Sequence, residues 1–374
     1  MTKSSIISLA FILCTAFFVT SCASNVSKEE IGVENEQSKV EKDTTYAQYI
    51  KRNKIKTLTS KGFQYKFGEA QQPGFTLYVV HYNEEGLPLD SIIYNNNVII
   101  GQFKNIYNTE GKLVNSTVLD SSGNEIESIN RTFDNKGNEI EFIYLKNKKP
   151  YYSQKIEYND KNQMIKIIEF DDSDTPKIVT EYVYNEKGKK IAKTEYNSKD
   201  VILSKESWLY DEKGNNIQYL IYDITGNILE KNYLKNFTED GHPQLLEKYN
   251  EKDSLVVSHH YEYDNKGREV KSTLYNGINQ ILSQTNSQYD NKGNQIGFEM
   301  YEGGEGLKGK DLITYNELNQ EIELRVTGAD GAQIKRKVTT YNEQKLIFEV
   351  INYDKLDDPN FKIQYTYEYY SENL

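Results

Sequence analysis

Cysteine is nearly missing from this chain: there are two in 374 residues, Cys14 and Cys22, both close to the start. Past Cys22 no disulfide can form within the chain and no cysteine metal site can be built. Histidine is almost as scarce, with only His81, His242, His259 and His260. The last two are neighbours in a strand-like stretch, so their side chains point to opposite faces and cannot share a metal. No His, Asp and Glu spacing matches a metal site, so neither a metal nor a cofactor is expected. Basic residues are outnumbered, 45 Lys and Arg against 56 Asp and Glu, for a net charge of −11. Such a surface excludes a nucleic-acid partner, which needs a basic stripe, and it keeps a long sheet soluble. Long apolar runs are also absent, apart from Ile6 to Val19.

What is present is a repeated punctuation mark. Twenty-three times from Tyr82 to Tyr367 the chain shows a residue that is usually aromatic, usually followed by Asn or Asp, with Gly, Asn or Asp four places on. One register runs through Tyr184, Tyr210, Phe237, Tyr263, Tyr289, Tyr315, Tyr341 and Tyr367, almost always 26 residues apart. A second runs between them through Tyr196, Tyr222, Tyr249, Tyr275, Tyr301, Thr327 and Tyr353. Marks therefore alternate at spacings of mostly 12 and 14 residues, the signature of a repeat architecture. Turn signals this frequent leave room only for strands.

Tyr263-Asp264-Asn265-Lys266-Gly267-Arg268 shows why the mark reads as a turn. Asp or Asn at the start of a type I turn caps it with the side chain. The residue four past the aromatic then enters the left-handed region, as in a three-residue hairpin loop with a bulge. Glycine does so without steric cost, and Asn and Asp are the next most tolerant. Eleven marks carry Gly there, among them Gly188, Gly214, Gly267 and Gly293, and seven carry Asn or Asp, including Asn162, Asn279 and Asn319. Val98, Lys149, Glu305, Lys345 and Ser371 break the rule.

Subtracting three loop residues leaves strands of odd length, so both ends of each strand should share a face. One face takes Val270, Leu274, Ile296, Phe298 and Met300; the other takes Lys271, Thr273, Glu299, Tyr275 and Tyr301. On this reasoning the tyrosines form two parallel rows on the polar face. The fold expected is all-β: a long antiparallel meander of about 13-residue hairpin units, paired into a 26-residue double repeat. Twist accumulates along such a sheet, so it should coil, solenoid-like, with the aliphatic face inward. Residues 46–81 hold strand-like stretches without the mark and are expected to cap the first edge, ahead of the repeat domain at 82–374.

Residues 1–21 have the form of a secretory leader, with Lys3 before a short apolar core. Val19-Thr20-Ser21-Cys22 resembles a bacterial lipobox, in which the cysteine is lipidated and becomes the mature N-terminus. Residues 22–45 are polar and acidic and read as a disordered tether. Within them Ser27-Lys28-Glu29-Glu30 resembles the acidic signal that sends some lipoproteins to the outer face of the outer membrane. The address expected is therefore the bacterial envelope, with the chain anchored to the outer membrane through a lipid on Cys22, either periplasmic or surface-exposed.

Chemistry is harder to find. Residues 304–310 match G-x-x-x-x-G-K, but Asp311 stands where Ser or Thr is needed and no helix follows, so the phosphate-loop reading fails. Carboxylates recur with the repeat, as they do on solvated strands, and no catalytic residue is assigned. The feature able to bind something is the tyrosine pattern: Tyr263, Tyr275, Tyr289 and Tyr301 offer stacking platforms for sugar rings. The alternative is that tyrosine merely suits half-buried strands and stacks across them.

The marks Tyr210-Asp211-Glu212-Lys213-Gly214-Asn215, Tyr263-Asp264-Asn265-Lys266-Gly267-Arg268 and Tyr289-Asp290-Asn291-Lys292-Gly293-Asn294 resemble the YD repeats of the Rhs family. The resemblance covers roughly Tyr82 to Tyr369 and implies long spiralling β-sheets. In the large toxins of that family the spiral becomes a shell around a C-terminal effector, for which this chain has no room after Tyr369-Tyr370. The function expected is a lipid-anchored, non-enzymatic binding or scaffolding protein, with a polysaccharide or protein partner. The alternatives are a glycan-processing envelope enzyme or accessory protein, and an immunity or antitoxin-like lipoprotein.

Overall fold

In a computed structural model of the chain, residues 46–172, 175–303 and 306–371 are described. The leader, Cys22, the acidic tether, Gly304 and Glu305 lie outside them. A short helix, α1 (46–52), precedes strands β1 to β25, numbered in chain order and joined in one antiparallel sheet.

The turns are built as their chemistry dictates. At Tyr263 the Asp264 N–H donates to the Arg268 carbonyl (2.9 Å) and the Gly267 N–H returns to the Asp264 carbonyl (3.0 Å). The Asp264 carboxylate accepts from the N–H groups of Lys266 (2.9 Å) and Arg268 (3.0 Å). Backbone φ is 80° at Gly188, 89° at Gly214, 73° at Gly267 and 98° at Gly293, and 65°, 62° and 68° at Asn162, Asn279 and Asn319. Two rule-breaking marks use another solution. At Val98 and Lys149 the loop shrinks to two residues, Asn96-Asn97 and Asn147-Lys148, all with positive φ. Such mirror-image turns follow the right-handed twist of a hairpin. Lys345 adopts the left-handed conformation regardless (φ 65°), beside Leu346, which is fully buried.

The expected placement of both tyrosine rows on one face does not hold. In β17 (Leu255–Tyr263) and β18 (Glu269–Asn276), His259 is opposite Leu274 and Ser258 is opposite Tyr275. Tyr263 alternates with His259 and so shares the face of Leu274, while Tyr275 lies on the other. The cause is a bulge that the mark does not advertise: Glu262 pairs with Lys271 but Tyr263 with Glu269, so two residues oppose one at the start of the strand. The bulge removes one residue from the alternation, and successive marks fall on opposite faces. The same shift recurs beside Tyr275, Tyr289 and Tyr301.

Nor is the sheet an open solenoid. β1 (Ile55–Lys66) pairs with β3 (Phe75–Tyr82) on one side and with β25 (Pro359–Tyr369) on the other. The ring therefore closes into a 24-stranded barrel, with the two-residue β2 (Glu69–Ala70) as an extra hairpin arm on β1. The segment expected to cap an edge is the strand that abolishes both edges, since every N–H and C=O row finds a partner. Two clusters hold the seam. At one rim Ile50 of α1 is buried with Ile55, Leu58, Val80, Tyr82 and Leu346, flanked by Tyr46 and Tyr367. At the other rim Phe75 and Phe361 meet (centroids 6.2 Å) over Gly62, where a Cβ would come within 3.0 Å of both rings.

Away from the seam the protein is one layer thick. Among the described residues the extensive strand contacts are all between neighbours in the ring or with the β2 arm, and a closed sheet of this strand number is too wide for side chains to fill. Phe103, Val118, Ile129, Leu234, Leu246 and Leu324 are buried on the face that also carries Tyr263 and α1. Side chains converge on the concave side of a closed sheet, which makes this the lumenal face; the face of Tyr275 is the outer one.

Candidate functional site

The candidate site residues separate by row. Tyr263 and Tyr289 belong to the first register, at the rim of α1, and their hydroxyls are engaged. Tyr263 donates to the Pro243 carbonyl (3.0 Å) and Tyr289 to the Glu269 carbonyl (3.1 Å), each 20 residues back, where the strand after the preceding turn of that rim begins. Tyr184, Tyr210, Tyr315, Tyr341 and Tyr367 do the same, and Tyr107 and Tyr158 reach the carbonyl 19 residues back, all at 2.7–3.1 Å. The accepting residue lies six past the preceding aromatic, as Glu269 does past Tyr263, so a 26-residue repeat brings its carbonyl under the next ring and the ladder follows from the period. Burial pushes the Tyr263 phenol up to about 12, with the Glu269 carboxylate adding to the effect.

Neighbouring turns on this rim are also tied together. Lys266 reaches the Asn291 carbonyl (3.1 Å), Lys292 the Glu317 carbonyl (3.1 Å) and Gln320 the Lys345 carbonyl (2.7 Å). The Arg268 guanidinium donates to Asp264 (Nε, 2.7 Å) and lies over the Tyr289 ring (4.4 Å). That hydrogen bond, helped by the backbone N–H groups, holds the Asp264 carboxyl down at about 2.

Tyr275 and Tyr301 belong to the second register, at the opposite rim and on the outer face. Tyr301 donates to Glu299 (3.0 Å), which also accepts from Lys310 (2.9 Å). The Glu299 bond raises the Tyr301 phenol. Tyr275 meets the His260 ring edge-on (centroids 4.9 Å). All four tyrosines are half-buried, but they do not form one surface.

His259 and His260 do lie on opposite faces, and no group of His, Cys, Asp and Glu among the described residues could hold a metal ion. Lys310 stands on a strand, β21 (Leu307–Tyr315), engaged with Glu299. The carboxylates are dispersed in cross-strand ion pairs on both faces, such as Glu206 with Lys193 (3.5 Å) and Glu262 with Lys271 (3.1 Å). Two polar features had no signal in the marks. His259 contacts Ser272 through Nε2 and the Tyr261 hydroxyl through Nδ1 (2.8 Å), and burial lowers its pKa to about 4, with His260 adding. An open groove of about 340 Å³ lies between two turns of the α1 rim, against Asn83, Glu85, Leu87, Asn105 and Tyr107.

No family model and no curated protein matches the chain. Among solved structures it is similar to the TcdB2–TccC3 assembly lacking its hypervariable C-terminal region, at 10% identity and a TM-score of 0.31, over 81% of this chain and 20% of that one. The Tc holotoxin pore of Photorhabdus luminescens matches at 11% identity and 0.27, over 78% and 19%. A porin-like protein from Bacteroides uniformis matches at 9% identity and 0.21, over 84% and 98%. The chain thus spans about a fifth of the length of the toxin chains.

Proposed function

We propose that this chain is a non-enzymatic binding or scaffolding barrel of the bacterial envelope, anchored by a lipid on Cys22. The observation that carries the reading is the construction of the α1 rim. Hydroxyl-to-carbonyl bonds at 26-residue intervals, with turn-to-turn bonds between them, make a rigid ring from repeats that are weak singly. A rigid ring bearing tyrosines on both faces suits display and stacking. The partner it fits is a neutral polysaccharide or an extended protein segment, because an anionic ligand would meet an excess of carboxylates.

Two experiments test this. Lipid labelling and fractionation should show wild-type protein in the membrane and Cys22→Ala released; equal retention of the mutant defeats the anchor. Binding to a panel of glycans and envelope fractions should weaken in Tyr275→Ala/Tyr301→Ala by about 1 kcal/mol or more per side chain, as expected for anchor residues. Unchanged binding in that double mutant and in Tyr263→Ala/Tyr289→Ala would leave the rows purely structural.

A further inference from the structure

The two rims differ in what they present to solvent. At the α1 rim the turn tips are charged or polar (Glu84-Glu85, Glu186-Lys187, Glu212-Lys213, Lys292), and Leu318 is the exposed large aliphatic tip there among the described residues. The opposite rim carries Phe67, at the turn between β1 and β2, exposed to 95%. It also carries Ile224 (64%), Ile278 (74%) and Leu356 (73%), each at a turn tip of the second register. Just behind the tips, Leu203, Leu229, Val256, Leu282 and Ile334 stand exposed on the outer face at equivalent places of the double repeat, with Lys308 in the place between the last two. The second tyrosine row, with Tyr275 and Tyr301, lies at the same level. Outer-face aliphatics are exposed just behind the α1 rim as well (Ile106, Val183 and Leu209), but the apolar turn tips gather at the opposite end, along one arc of the ring that runs from Ile224 through Ile278, Leu356 and Phe67 to Val98 beside its turn.

We infer that this rim is a membrane-contacting edge that dips its apolar tips into a bilayer of neutral headgroups. The distribution selects the partner. A protein docking from the side would meet one or two of these turns, whereas a planar lipid surface meets Phe67, Ile224, Ile278 and Leu356 together along the whole arc. Tyrosines immediately behind the tips are placed as side chains at the headgroup level are. Acidic residues between the tips, such as Asp223, Asp354 and Asp357, disfavour anionic lipid and also a rim-to-rim pair of copies. Insertion stops at the rim, because both faces carry ion pairs further along the strands (Glu262–Lys271 outside, Glu206–Lys193 inside). The anchor proposed above is compatible with this orientation. Residues 22–45 can span up to about 80 Å, well beyond the roughly 30 Å length of a nine-residue strand.

The test uses the full chain carrying Cys22→Ala, so that no acyl chain holds it to lipid, and Trp208→Phe, which removes the sole tryptophan. Into this background go Ile278→Trp or Leu318→Trp, and fluorescence is read on vesicles of phosphatidylcholine brominated in the acyl chains. Quenching of the tryptophan at 278 and none at 318 is expected. Phe67→Ser with Ile278→Ser in the Cys22→Ala chain should weaken vesicle partition at least tenfold, and phosphatidylglycerol vesicles should bind less than phosphatidylcholine. No quenching at 278 overturns the inference. Equal quenching at both positions also overturns it, because adsorption through residues 1–45 would then suffice. A tip variant that lowers the oligomeric mass without any vesicle binding would assign the rim to contacts between copies instead. The glycan assay is independent of all these readings, so the two proposals fail separately.

Discussion

The tyrosine ladder makes a graded prediction. Tyr289→Phe removes one part-buried hydroxyl and leaves the ring, and Phe133 and Phe237 already stand in the same row without a hydroxyl, so the ring itself is accommodated. The loss is then close to the net worth of one hydrogen bond, about 0.5–1.5 kcal/mol. Successive rungs lie two strands apart, about 10 Å, and share no partner, so Tyr263→Phe, Tyr289→Phe and Tyr315→Phe together should cost about 1.5–4.5 kcal/mol. Tyr275→Phe, in the second row, lies outside the ladder and keeps the ring contact with His260, so it should stay within about 0.5 kcal/mol. Urea unfolding followed by far-UV circular dichroism reads all of these as midpoint shifts at constant slope. If the two rows prove equally sensitive, or the triple mutant is no weaker than the single one, the ladder does not stabilise the rim and the reasoning fails.

Gly267→Val should destabilise by at least about 1 kcal/mol in the same assay, because φ is 73° there and a Cβ would also come within 3.3 Å of His242; an unchanged midpoint would contradict the turn geometry. Thr225 lowers Asp223 to about 2, as Arg268 does Asp264, and Asn138 and Asn294 lower Asp134 and Asp290. Folded-state values below the unfolded ones mean stability that is full above about pH 4 and lost as pH falls toward 2. Asp264→Asn with Asp223→Asn should flatten that stretch of the thermal-melting profile. Deleting 46–66 should give protein that associates through the bared edges of β3 and β25, read by light scattering; a soluble monomer with native circular dichroism would show that β1 does not close the ring.

The turns were legible in the sequence because their determinants are local: a capping carboxamide or carboxylate and a residue tolerant of positive φ, five residues in all. Strand class and the existence of two rows follow from the same spacing. The face of each row was not legible, because the bulge at Glu269 and Val270 is made by pairing across strands and no special residue marks it. Closure was hidden for a stronger reason. β1 carries no mark, and its two partners stand at opposite ends of the repeat array, so nothing within one period hints that they meet. The tyrosines read as possible platforms turn out to hold Pro243 and Glu269 in place on one rim only, a distinction that required knowing which carbonyl lies 20 residues back.

Because Leu58 faces Tyr367, the last pairing joins residues more than three hundred positions apart, while every other pairing in the ring joins neighbours in sequence. Hairpins can therefore zip up one after another on a fast, local timescale, whereas the final step must bring distant ends together at an entropic cost of roughly 5 kcal/mol for a flexible chain. A preformed, twisted arc of sheet lowers that cost by holding its own ends near one another. Until they meet, each arc carries two unsatisfied borders, and two arcs at high concentration can close on each other instead of on themselves, giving a larger ring of exchanged chains. The yield of the single ring should then depend on how dilute the chains are at the moment of folding, and on how soon α1 clamps the seam.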